Sequence, residues 1–169
     1  NTSKFIDCTT ASDNSGFLVY YTGNDLLWVQ LKNAGSAVVN TGFSSKNTHH
    51  GRWNYIVYTY APNNFKGYFN SVLTLSDTSC TMGDPSPQIL TLGRNSDASS
   101  GFAKFFIKDL VFQNTTTPWT QAQVDDLYFR RIIPPGIINA AVPTSAGIWT
   151  LSDTLEDSSG NGNTLTAYP

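Results

Sequence analysis

The chain predicts an all-β fold, an antiparallel jelly-roll sandwich with one short helix. Short runs rich in β-branched and aromatic residues recur along it, and Gly, Asn and Pro turn chemistry separates them. One stretch, residues 120–128, places its apolar side chains at helical spacing.

The elements follow in order. Residues 17–22 (Phe-Leu-Val-Tyr-Tyr-Thr) form one strand and 25–31 the next, and the Gly23-Asn24 dipeptide between them is a hairpin signal. Val38, Val39 and Phe43 mark a short strand before a polar loop over 44–51. The run 53–60 is the strongest strand candidate, with bulky residues on both faces. Across an Ala61-Pro62-Asn63-Asn64 turn, 65–75 is its return strand. A loop holding Cys80, Pro85 and Pro87 leads to 88–93, and 102–112 supplies a further strand. Thr120 can cap the helix, Gln123 sits at the matching capping-box position, and Val124, Leu127 and Tyr128 give it an apolar face. The chain thus divides into a body over 1–131, a Pro-bounded linker or arm over 132–146, and a strand segment over 147–169. Pro134, Pro135 and Pro143 keep the arm extended and short of ladder hydrogen bonds.

Composition narrows the function classes. At 169 residues the chain fits one domain with a substantial core. Charged residues reach only 13%, about half the usual share, and Asn, Ser, Thr and Gly fill the surface instead. That balance suits an extracellular protein or the surface of a cell or virion. A net charge of -2 with scattered basic residues gives no field for nucleic acid or acidic membranes, and no apolar run approaches membrane-spanning length. Beginning at Asn1 without Met or a signal-like stretch, the sequence reads as a processed product or an excerpt. Cys8 and Cys80 lie outside any CxxC pair; they form one disulfide or remain two buried thiols, and the extracellular composition favours the disulfide.

Three segments in order carry a resemblance. Residues 53–60 followed by 67–72 look like a Trp-led strand and its hairpin partner, with Ser71 where glycine is usual. Leu92-Gly93-Arg94 looks like a strand end, and 105–114 followed by 119–128 like a closing strand and helical turn. Together they resemble the laminin-G-like branch of the concanavalin A-like lectin/glucanase superfamily. That family's opening pattern, Asp-x-Ser-Gly-Asn-Gly, falls here at 157–162, after everything else. The order is therefore permuted, or cut out of phase from a tandem array.

The resemblance implies a calcium held by Asp157, Asn161 and Asn163 with Asp109, a set of oxygens suited to a hard cation. The alternative is a tight turn that needs residues tolerant of positive φ. Catalysis is not expected. Glycanases of this fold use two carboxylates, whereas Glu156 is the single glutamate, and the adjacent Asp125 and Asp126 point apart on a helix. His49 and His50 read as solvated loop residues with no ligand-spaced partner.

A sugar site needs exposed aromatics beside amides. Tyr20, Tyr21, Trp28, Tyr58 and Tyr60 are the candidate platform, with Asn63, Asn64 and Asn95 in loops; Tyr58, Tyr60, Asn63 and Asn64 are the preferred carbohydrate-binding set, and Trp28 and Trp53 are expected in the core. Asn114-Thr115-Thr116 is an N-glycosylation sequon, and Thr115, Thr116 and Thr117 before Pro118 are also O-glycan candidates.

Two roles remain in view. The terminal strand, Ile148, Trp149 and Leu151, either folds back or completes an adjacent copy, in which case head-to-tail exchange builds a filament. The fifteen-residue arm, spanning at most roughly 50 Å, permits both. Self-association of a non-catalytic structural or adhesive module is the leading expectation, and a self-contained glycan-binding module is the other.

Overall fold

The computed structural model describes residues 3–9, 15–22, 27–43, 53–83, 91–93, 107, 110–112, 118–130, 147–149, 155–156 and 162. The chain divides into two compact units, Asn1–Phe105 with Trp119–Tyr128, and Phe106–Pro118 with Phe129–Pro169.

In the first unit, β1 (Ser3–Thr9), β2 (Gly16–Tyr21), β3 (Leu27–Asn33), β4 (Ser36–Phe43) and β8 (Thr91–Leu92) form one antiparallel sheet, ordered β4-β3-β2-β1-β8. A second sheet runs β5 (Ile56–Ala61), β6 (Asn64–Phe69) and β7 (Val72–Asp77). Side chains alternate across each strand, so paired residues share a face. Ile6, Val19 and Val29 make one inward row of the first sheet, and Cys8, Phe17, Leu31 and Val39 the next. These rows meet Phe65 and Cys80, with Tyr58, Tyr60, Phe69 and Leu75 packed around them. Burying each such Val, Leu or Phe contributes roughly 1.5–3 kcal/mol.

The fold class matches expectation, an antiparallel sandwich with one helix, and the differences are local. The stretch 65–75 is two strands, because Asn70 and Ser71 both adopt left-handed backbone (φ 50° and 72°) and reverse the chain. That pair of positive φ values is the hairpin geometry that twisted strands select. Residues 27–33 and 36–43 are likewise joined by Ala34 and Gly35, both at positive φ. Residues 4–8, not assigned to a strand from the sequence, lie in β1, a central strand flanked by β2 and β8. At its end Gly16 packs so closely that a Cβ there would lie 2.0 Å from the Cys8 carbonyl oxygen.

The helix, α1 (Gln121–Arg130), starts as the capping box requires. Thr120 N donates to Gln123 Oε1 at 2.9 Å, and Gln123 N donates back to Thr120 Oγ1 at 3.3 Å. Val124 and Leu127 are buried. The helix latches onto the β6–β7 turn: Gln121 Nε2 donates to Ser71 O at 2.8 Å and to Asp125 Oδ1 at 2.6 Å, and Ser71 Oγ donates to Asp125 Oδ1. Tyr128 meets Tyr55 at 5.7 Å between ring centroids.

In the second unit, β10 (Gly147–Trp149) pairs antiparallel with β9 (Leu110–Phe112) of the same chain: Gly147 with Phe112, Ile148 with Val111, Trp149 with Leu110. The pairing is made within one chain. Leu151 and the arm at 132–146 lie outside the described residues.

The Ser71 latch generates a measurable expectation. Ser71→Ala keeps the strained φ but removes the hydroxyl, costing about 1–3 kcal/mol. Ser71→Gly removes the hydroxyl but regains about 1–2 kcal/mol of left-handed strain. In thermal melts Ser71→Gly should fall between wild type and Ser71→Ala; a Ser71→Ala melt superimposable on wild type would sink the latch.

Candidate functional site

The outward face of the five-stranded sheet holds the polar groups that converge. Register places Lys4, Tyr20, Trp28 and Gly42 in one cross-strand row and Asp7, Leu18, Gln30 and Asn40 in the next. Lys32, opposite Gly16 and Ala37, belongs to the row after. Lys4, Leu18, Tyr20, Gln30 and Lys32 line an open depression of about 210 Å³. Leu18, 3% exposed, is the buried member of that lining.

Hydrogen bonds order this face. Asn40 Oδ1 accepts from Tyr20 Oη at 3.2 Å and from Gln30 Nε2 at 3.4 Å. Lys4 Nζ donates to Asp7 Oδ2 at 3.0 Å, and Thr9 Oγ1 donates to Asp7 Oδ1 at 2.7 Å. Asp7, 1% exposed, is therefore a buried carboxylate satisfied by an ammonium and a hydroxyl. Thr91 Oγ1 bonds the Asp7 carbonyl at 3.1 Å, tying β8 to β1. The half-buried Trp28 ring lies against Gly42, where a Cβ would come within 3.2 Å of it. Burial raises the Tyr20 phenol, keeping its hydroxyl protonated as a donor. Burial, and then the neighbouring Lys4, lower the Lys32 ammonium, against an opposing pull from Asp7. Such a surface can stack a ring and take forked hydrogen bonds.

Several expected site residues lie elsewhere. Tyr58 and Tyr60 do not form a surface platform. Both pack against the inter-sheet core: Tyr58 stacks on Phe65 with ring centroids 6.0 Å apart, and Tyr60 Oη accepts from Met82 N at 2.7 Å. Their alternation in β5 turns them toward the first sheet. Tyr21 also faces inward, against Phe5 at 5.0 Å. Asn63 is an exposed corner of the β5–β6 turn (φ 58°), and its backbone N–H donates to the Cys80 carbonyl at 2.7 Å; Asn64 opens β6. Trp53 is 69% exposed rather than core, and Trp28 lies on the outward face.

The expected disulfide is absent: Cys8 and Cys80 are buried free thiols. Cys80 belongs to the inter-sheet core, its Sγ 3.8 Å from the Asp77 carbonyl, while Cys8 stands in the β1 row with Phe17, Leu31 and Val39. Burial, helped by Asp7, pushes the Cys8 thiol up to about 12, and burial also raises Cys80, so neither is the thiolate that exchange chemistry needs. Asp125 is committed to Ser71 and Gln121, and Glu156 is exposed. The calcium set (Asp109, Asp157, Asn161, Asn163), the sequon (Asn114, Thr115, Thr116), Asn95 and the two histidines all lie outside the described residues. Among the described residues no cluster of His, Cys, Asp and Glu could hold a metal, and no helix is long and apolar enough to cross a membrane.

Sequence reasoning named Tyr20 but missed Lys4, Gln30, Lys32 and Asn40. The available signal was period-two spacing: residues 18 and 20, then 28, 30 and 32, share a face once the hairpin register is set.

This antiparallel sandwich, with a helix latched onto one hairpin and a polar outward face, defines a lectin-like β-module. The laminin-G-like family model of the concanavalin A-like lectin/glucanase superfamily matches residues 1–124, and the chain belongs to that family. No curated protein and no solved structure matches the chain.

Proposed function

We propose that the chain is a non-catalytic, surface-exposed adhesion module that binds glycans through the outward face of its five-stranded sheet. The observation that carries this reading is the juxtaposition of the Tyr20 ring and the Gln30–Asn40 amide pair beside the open depression. Sugars present a flat apolar face to a ring and adjacent hydroxyls to amides, and this face offers both. Tyr20→Ala and Asn40→Ala should each weaken glycan binding about tenfold, the ~1.4 kcal/mol worth of one good contact, with unchanged melting temperature. Full retention of binding in both variants would reject this face. Loss in Tyr58→Phe or Tyr60→Phe instead would move the site to the second sheet.

A second reading, self-association through the terminal strand, draws on the shortness of the β9–β10 ladder. Three paired residues joined by a long arm can be satisfied within one chain or exchanged between copies in the same register. The double substitution Val111→Cys with Ile148→Cys places thiols at paired positions. Exchange predicts a series of linked multimers on a non-reducing gel; a purely monomeric, internally linked band contradicts it.

Calcium is part of the same proposal, held by Asp109, Asp157, Asn161 and Asn163, whose oxygens suit that ion. Chelation should lower the melting temperature of the wild type and leave Asp157→Ala unmoved; equal melting with and without chelator removes calcium from the account.

A further inference from the structure

The depression on the outward face carries two cations besides its aromatic and amide groups. We propose that the ligand of this face is an acidic polysaccharide, whose carboxylate or sulfate is held by Lys32 with Lys4 while the sugar ring lies on Tyr20 and the Gln30–Asn40 amides. The inference deepens the glycan reading and rests on it.

The two lysines are not equivalent. Lys4 is already committed, since its ammonium neutralises the buried Asp7 at 3.0 Å. Asp7 in turn takes Thr9 on its other oxygen, so the brace is complete without Lys32. Lys32 lines the same depression and, among the described residues, has no carboxylate within ion-pair distance. Its ammonium is partly desolvated and repelled by Lys4, with the pull of Asp7 only partly offsetting this, which is the condition an anion from outside relieves. A neutral sugar leaves that charge uncompensated.

The positive charge is local, because the chain as a whole carries -2. A site with two lysines in a net-negative chain does not build the run of phosphate contacts that nucleic acid requires. It fits an anion spaced along a sugar chain, where the neighbouring ring and hydroxyls supply the remaining contacts. Gln30 and Asn40 have their amides oriented by mutual hydrogen bonding before any ligand arrives, which lowers the cost of ordering them.

The test uses the whole chain and titration calorimetry with a galacturonic acid hexamer, a galactose hexamer and sodium sulfate. The acidic hexamer should bind about tenfold tighter than the neutral one, a preference that shrinks as sodium chloride rises. Lys32→Gln should reduce that preference to near unity at an unchanged melting temperature, and Lys32→Arg should keep it. Lys4→Gln should lower both the preference and the melting temperature, since it also strips Asp7 of its counter-charge. Equal affinity for the two hexamers, or a preference intact in Lys32→Gln, overturns the proposal; if Tyr20→Ala still weakens neutral binding about tenfold, the glycan reading stands without it. Displacement of the acidic hexamer by sulfate at matched ionic strength, or equal binding of single-stranded DNA, overturns it in favour of a bare anion site. Failure of both hexamers to bind overturns the acidic ligand and the glycan reading together.

Discussion

Everything in the first unit depends on the register of β1 to β4. Period-two alternation, with a β-bulge between Lys4 and Ile6, sends Ile6, Val19, Val29, Leu31 and Val39 to the second sheet and Lys4, Asp7, Tyr20, Gln30, Lys32 and Asn40 to the other side. A slip of one residue would exchange the two sets, exposing the core and burying two ammonium groups. Two features hold the register. The Ala34–Gly35 turn closes β3 on β4 with both residues at positive φ. The close approach of β2 to β1 at Gly16, where a Cβ would lie 2.0 Å from the Cys8 carbonyl oxygen, admits only a glycine opposite the end of β1. The buried Asp7 carboxylate is satisfied within β1 by Lys4 and Thr9; such a pair adds little net stability, yet removing one partner costs about 3–5 kcal/mol.

The same register links packing to function. Leu18 is held at 3% exposure on the outward face, and Tyr20, Gln30 and Asn40 stand near it at fixed strand spacing. A ligand surface built on paired strands is preorganised, because the backbone ladder rather than loop ordering sets the distances. The second sheet takes a different task. Its inner aromatics, Tyr58, Tyr60, Phe65 and Phe69, fill the sandwich, and its β6–β7 turn receives the helix through Ser71, Gln121 and Asp125. Ser71 stands at φ 72° where glycine would be free of strain, and its hydroxyl offsets part of that strain through Asp125.

Local chemistry with strong rules was legible in the sequence. The Thr120–Gln123 capping box, the Pro62–Asn63 turn and the pairing of 17–22 with 25–31 all emerge as read, since each rests on interactions between near neighbours. What escaped depends on long-range pairing. Asn70-Ser71 turns the chain as Asn-Gly would, but serine lacks glycine's conformational signal, so two strands read as one. In 53–60 bulky residues stand on both faces, and nothing local says which tyrosines turn inward. Trp53, 69% exposed, defeats the rule that indoles seek the core. The cysteines show the same limit: composition favoured a disulfide, while strand placement buries Cys8 and Cys80 as separate thiols.

The central claim is that ligand meets the outward face of the five-stranded sheet, away from the tyrosines of β5. Backbone amide shifts recorded by NMR during titration with an acidic oligosaccharide test it most directly. The account predicts that the largest movements fall on Lys4, Tyr20, Gln30, Lys32 and Asn40, with Tyr58, Tyr60, Asn63 and Asn64 stationary. Movements concentrated on β5 and its turn, with β1 to β4 unmoved, would contradict it.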